Sequence, residues 1–200
     1  MRRRLGMKCP SCQTIFSAPG PQCPKCKLTL HHLDAKFGAV PRYSRFVTDC
    51  SGRLSRRDIA DLRRLLRLFN RKFPQSRFSV FVTNQLSAGT IGEYAFWLMN
   101  RARFGFAEAV GGDNYDLLLA IDVERSAAAL IVGYGLETYI TERDLERALA
   151  QAASGFHEGD FARGIGACVE VMISRMRAIV KKLEETKTTE EMPTTASGSP

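Results

Sequence analysis

Between residues 56 and 73 the apolar positions Ile59, Leu62, Leu66, Phe69 and Phe73 fall on one face of a helix, while Arg57, Arg63, Arg64, Arg67 and Arg71 occupy the other. Ser55 reads as the N-cap of this helix and Pro74 as its stop. A compact apolar and β-branched run at 78–83 then predicts a strand, and Ile91, Tyr94, Ala95, Leu98 and Ala102 mark a second helix. Two further apolar runs, 117–123 and 127–132, lie on either side of a polar turn at 124–126 and read as a hairpin buried on both faces. Thr141 is placed to cap a helix over 142–153. A last helix, about 160–183, carries Phe161, Ile165, Cys168, Val169, Met172, Met176 and Ile179 along one face. With a short extended piece at 42–48, this order predicts an α/β domain, a small central sheet sandwiched between helices.

The first thirty residues have a different character. Cys9, Cys12, Cys23 and Cys26 form two Cys-x-x-Cys pairs, CPSC and CPKC, among four prolines. A segment so short and apolar-poor needs a metal to fold. Four thiolates complete a tetrahedral zinc shell, and this spacing suits a ribbon of two facing knuckles. Redox Cys-x-x-Cys motifs are the alternative, but these sit at a helix start behind a strand. His31 and His32 offer substitute ligands, or are solvated residues of a linker. The chain is thus divided into a zinc ribbon at 7–33, a linker at 34–41, the α/β domain at 42–184 and a disordered tail at 185–200, where Thr, Glu, Ser, Gly and Pro leave little to bury.

Charge sharpens the division. Residues 1–75 hold 17 Lys and Arg against 4 Asp and Glu, whereas residues 76–200 hold 12 against 17. The basic excess therefore lies in the first part, where Arg2, Arg3, Arg4, Lys8, Lys25 and Lys27 either form a solvated basic surface or, with the arginine face, engage phosphates of a nucleic acid. The basic start lacks an apolar run, so no secretory signal is expected, and no stretch reaches the roughly 20 apolar residues of a membrane span. Unpaired thiols and zinc ligands favour a reducing compartment, the cytoplasm.

The larger domain also carries a specific tract, VGYGLE at 132–137, followed by Tyr139 and Thr141. An Asp113-Asn114 loop lies about twenty residues upstream, Val47-x-Asp49 stands at the start and Gly159-Asp160-Phe161 near the end. In these residues, over about 46–176, the chain resembles the TPM domain, a family of thylakoid-lumen, photosystem-repair and related bacterial proteins. The resemblance implies a compact α/β sandwich. It also implies three kinds of function: acid-phosphatase-like activity, binding of divalent cations such as calcium, and assembly or repair of membrane complexes. Where the family has Asp-Asn-Gly this chain has Asp113-Asn114-Tyr115, so the glycine that lets backbone approach a ligand is absent.

Asp49, Asp113, Asp116 and Glu137 are the candidate ligands of a second cation site for calcium or magnesium, since hard cations take several oxygen ligands from loops. Capping of turns is the alternative for Asp49 and Asp113. His157 has no serine or cysteine nucleophile at a recognisable spacing and reads as a surface histidine; Cys50 and Cys168 read as buried thiols. The expected function is a binding or scaffold module with a protein partner. A metal-dependent phosphatase and a nucleic-acid-binding protein are the alternatives.

Overall fold

The computed structural model describes residues 7–16, 20–86, 88–102 and 115–190. Two short strands, β1 (Met7–Lys8) and β2 (Ile15–Phe16), pair antiparallel in the cysteine-rich segment. The main sheet contains β3 (Val47–Asp49), β4 (Phe78–Thr83), β5 (Leu117–Asp122) and β6 (Ala127–Val132) in that spatial order. The first three are parallel and β6 closes the sheet antiparallel to β5. Every residue of β4 and β5 is buried, as their unbroken apolar runs require, because helices cover both faces. The hairpin forms as expected, but β6 is an edge strand and only half-buried.

On one face, α2 (Arg56–Lys72), α4 (Glu142–His157) and α5 (Phe161–Glu190) pack Leu66, Phe69, Ala152 and Val169 against Val80, Val82, Leu119 and Ile121. On the other, α1 (Leu30–Phe37) and α3 (Ile91–Arg101) pack Leu33, Ala95 and Leu98 against Phe81, Leu118 and Ala120. The alternation along β4 and β5 sends neighbouring residues to opposite cores. Since β3, β4 and β5 are successive parallel neighbours while α2 and α3 cover opposite faces, their two crossovers have opposite hands. One of them is therefore the left-handed kind that about 2% of such connections adopt.

Two boundaries differ from expectation. The first half of the linker at 34–41 is helix, the end of α1: Thr29 caps α1, accepting from His32 N at 3.1 Å, while His32 Nδ1 accepts from Thr29 N at 3.3 Å. This is a capping box in which histidine stands where glutamate is usual, and Leu30, Leu33 and Phe37 supply the apolar stripe. The expected tail at 185–200 begins later, because α5 continues through Glu190; residues 191–200 lie outside the described residues. Lys and Glu lose little rotamer freedom in a helix.

The contacts of α1 fix the cysteine-rich segment to the sheet domain. Asp34 Oδ1 accepts from Trp97 Nε1 at 2.9 Å and Arg101 Nε at 2.8 Å, and its Oδ2 accepts from Arg101 at 2.6 Å. Phe37 stacks edge-on to Tyr94 with centroids 5.1 Å apart. Lys36 donates at 2.7 Å to Glu93, which is only 5% exposed. Burial alone would raise the Glu93 carboxyl, but hydrogen bonds from Lys36, Thr90 and Ser11 outweigh it and hold the group below the usual carboxylate range.

The fork of Arg101, with Trp97 second, lowers Asp34 below its ordinary range. A carboxyl whose pKa is depressed by folding contributes its stabilisation above the unfolded value and loses it as pH falls through the folded one. Docking of α1 should therefore persist into acid below the usual aspartate pKa. Trp97 is the chain's one tryptophan and is fully buried, so its emission reports on this contact. Asp34→Ala is expected to shift that emission to the red at neutral pH, with the far-ultraviolet spectrum of the sheet domain kept.

Candidate metal centre

The two Cys-x-x-Cys turns fold alike. In the first, Cys9 N donates to Thr14 O at 3.0 Å and Gln13 N to Cys9 O at 3.0 Å; in the second, Cys23 N donates to Leu28 O at 2.9 Å and Lys27 N to Cys23 O at 3.0 Å. Each ends on a residue in the left-handed region, Gln13 and Lys27, both at φ 60°. That conformation costs a non-glycine residue about 1–2 kcal/mol. It persists at equivalent positions of both turns because the turn geometry requires it.

These turns bring the four Sγ atoms within 4.8 Å of one another. Cys9 and Cys26 lie 3.6 Å apart across the turns, as do Cys12 and Cys23. Metal–sulfur bonds of about 2.3 Å in a tetrahedron give sulfur–sulfur edges of about 3.8 Å, whereas a disulfide needs about 2.05 Å. The donor set is thus the right size for a metal ion and too open for disulfides. Among the described residues, no other group of three or more His, Cys, Asp or Glu side chains is so arranged.

The thiols are tuned in opposite directions. Burial pushes Cys9 up to about 12. Hydrogen bonds from the Thr14 hydroxyl and backbone hold Cys12 down to about 6, and the Cys26 backbone N–H likewise lowers Cys23. A divalent cation at the centre reverses the effect of burial on Cys9, because it supplies the charge that a thiolate lacks in a dry site.

Of the candidate oxygen ligands, Asp49 and Asp116 do not come together. Asp49 sits at the C-terminal end of β3, level with Val82, whereas Asp116 immediately precedes β5 and is level with Arg77. Five residues of strand, about 17 Å, separate the two levels. Asp49 is occupied by its own loop: Oδ1 accepts from Ser51 N, Ser51 Oγ and Gly52 N at 2.8, 2.6 and 3.0 Å, and Oδ2 from Leu54 N at 2.8 Å. This is the capping alternative, and it shapes the turn into α2.

Asp116 accepts from Arg77 N at 2.9 Å at the opposite end of the sheet. Burial raises its pKa, opposed by the charge of Arg77. Glu137 follows β6 on the same side as Asp116, since Gly133 N donates to Asp116 O at 2.8 Å, and burial raises Glu137 too. Asp113 and Asn114 lie outside the described residues. Asp49→Ala should lower stability by about 2–3 kcal/mol through the orphaned loop donors, equally with and without calcium in a urea titration.

Besides Glu93, two further buried charges were not singled out by sequence. Arg77 and Asp122 are each 1% exposed. Asp122, at the end of β5, accepts from Arg125 N at 3.4 Å and lies 3.6 Å from the Arg125 guanidinium, so it shapes the β5–β6 turn. Its three-residue spacing from Arg125 was the available signal. Cys168 is buried and pushed up to about 12, whereas Cys50 is exposed, contrary to expectation. His157 ends α4 and is exposed.

A family match decides the identity of the larger domain: the TPM domain matches residues 47–175. The chain belongs to the TPM domain family. The cysteine cluster and α1 precede the matched span, so this TPM domain carries an N-terminal addition that fits a zinc ribbon. No curated protein matches the chain.

Solved structures share the TPM fold. The N-terminal domain of a protein from P. gingivalis aligns at 20% identity and TM-score 0.57, covering 76% of this chain and 90% of its own. The N-terminal domain of the cg2496 protein from Corynebacterium glutamicum gives 18% identity and TM-score 0.50, covering 67% and 82%. The BA42 protein from Bizionia argentinensis gives 10% identity and TM-score 0.54, covering 66% and 86%. At these identities the likeness concerns the fold alone.

Proposed function

We propose that this chain is a docking module in which a zinc ribbon and a TPM domain act as one body on a protein partner, in the cytoplasm. The observation that carries this reading is the bridge of Asp34 to Trp97 and Arg101, because it holds the helix behind the ribbon against the domain. A ribbon that served only its own fold needs no such anchorage. Zinc is the metal expected for a closed four-thiolate shell, and no helix among the described residues is long and apolar enough to cross a membrane. Partners cross-linked to the wild-type chain should be lost from Cys9→Ser/Cys12→Ser; an unchanged partner set would refute the reading.

Two other readings remain distinct. The exposed arginines of α2, Arg56, Arg57, Arg64, Arg67 and Arg71, favour contact with nucleic acid, for which affinity must fall steeply with salt. A divalent-metal-dependent phosphatase has less behind it, since Asp49 and Asp116 stand at opposite ends of the parallel strands and calcium or magnesium would have no shared shell from them. Turnover of a phosphomonoester with calcium, magnesium or manganese, by protein of verified fold, would restore it.

A further inference from the structure

A groove of about 810 Å³ opens where the ribbon, α3 and α4 surround the edge of the sheet. The five consecutive residues 128–132 of β6 all line it. Side chains of a strand alternate between faces, so a cavity lying on a face would meet every second residue. One lined by successive residues lies along the strand's edge.

Hydrogen bonding gives the direction of that edge. Leu117 N donates to Arg77 O and Val123 N to Thr83 O, so the odd-numbered residues of β5 turn their backbone groups toward β4. The even ones therefore face β6, and the register pairs them with Ala127, Ala129 and Ile131. The N–H and C=O of Ala128, Leu130 and Val132 consequently point away from the sheet into the groove. Among the described residues, no strand pairs with this edge.

The walls state what fits. Phe96, Met99, Leu145 and Leu149 contribute apolar surface. Ile15 and Tyr134, large residues 64% and 48% exposed, stand at the lining as well. The charged groups are Glu137, Glu142 and Glu146 against Lys8, which is paired with Glu142. A second copy would bring the same carboxylates to the same edge and repel itself. An extended segment with basic side chains complements them.

We propose that the free edge of β6 receives an extended peptide of a partner protein, with lysine or arginine alternating with apolar residues, as a fifth strand of the sheet. Main-chain pairing to Ala128, Leu130 and Val132 supplies affinity, and the carboxylates select basic sequences, the general logic of strand addition. This inference rests on the docking reading and names its surface.

The test uses the full zinc-loaded chain and amide exchange followed by NMR. The probe is a capped heptapeptide of alternating lysine and valine; the controls replace its lysines by glutamate, or N-methylate its alternate amides. The lysine peptide should slow exchange at residues 128, 130 and 132 at least tenfold, and neither control should. Ala128→Pro removes one edge donor where a ring is tolerated. It should abolish the peptide's protection of 130 and 132 with the Trp97 emission unchanged.

No peptide-dependent protection, equal protection by the glutamate or N-methylated peptide, or protection already present in the free chain would each overturn the proposal. The last, if it rises with protein concentration, assigns the edge to a second copy. Failure here leaves the metal-dependent partner set of the docking reading standing, whereas loss of that dependence leaves the peptide result standing.

Discussion

Chelating the metal should unfold residues 7–29 and leave the emission of Trp97 where it was. Among the described residues of that segment the buried ones are Cys9 and Cys23, both metal-site cysteines, and its strands are two residues long. Among the described residues of the segment, Leu28 alone packs against the domain core, so little apolar contact holds the turns once the thiols are released. Metal binding by such segments carries about 10–16 kcal/mol at neutral pH, as much as the whole stability of a typical domain. Trp97 is held by Asp34 and Phe37 of α1, so the contacts that bury it should outlast the loss, although the Lys8–Glu142 pair goes with the ribbon. One zinc per chain by elemental analysis, falling to none in Cys23→Ser with cooperative unfolding of the TPM domain retained, is the expected outcome. Since the ligand thiols must lose protons to bind, affinity should weaken as pH falls.

Gly155→Ala should cost about 3 kcal/mol or more, read as an earlier urea midpoint, and Gly155→Val should prevent folding. A Cβ at Gly155 would stand 2.5 Å from Gly164 N and 2.7 Å from its Cα, and one at Gly164 would stand 2.8 Å from Ala152 O. The helices α4 and α5 thus meet backbone to backbone on either side of the turn at Gly159, whose φ is 78°. Backbone cannot swing aside as a long side chain can, so overpacking reaches the upper end of its usual range. Gly166, in the same helix but facing open space, supplies the contrast. Gly166→Ala should stabilise by about 0.5–1 kcal/mol through helix propensity alone.

Sequence made the sheet domain legible because its strands are uninterrupted apolar runs and Ser55 and Thr141 are strong caps. Both capping boxes are completed by aspartate at the third helical position, Asp58 and Asp144. The same device at Thr29 was opaque because His32 takes the third position and the helix is eight residues long. Four cysteines in two pairs reveal a metal site directly, since ligand spacing is local. The pairing of Asp49 with Asp116 misleads for the opposite reason. Asp49 and Asp116 both border strands, but which end of the sheet each occupies follows from strand direction and register, which sequence distance does not encode. Cys50 reads as buried from its type, yet it follows the last residue of β3 and is exposed.

The helix in place of a linker also changes the arithmetic of recognition. Eight flexible residues would let the ribbon wander with a root-mean-square reach of about 16 Å, and a partner touching both ribbon and sheet would have to gather them. With α1 locked on Trp97 and Arg101, the second contact forms at an effective concentration set by a rigid frame, with no chain entropy left to lose. A partner that fits can therefore combine two modest contacts into one durable complex, and a partner whose spacing is wrong gains nothing from either.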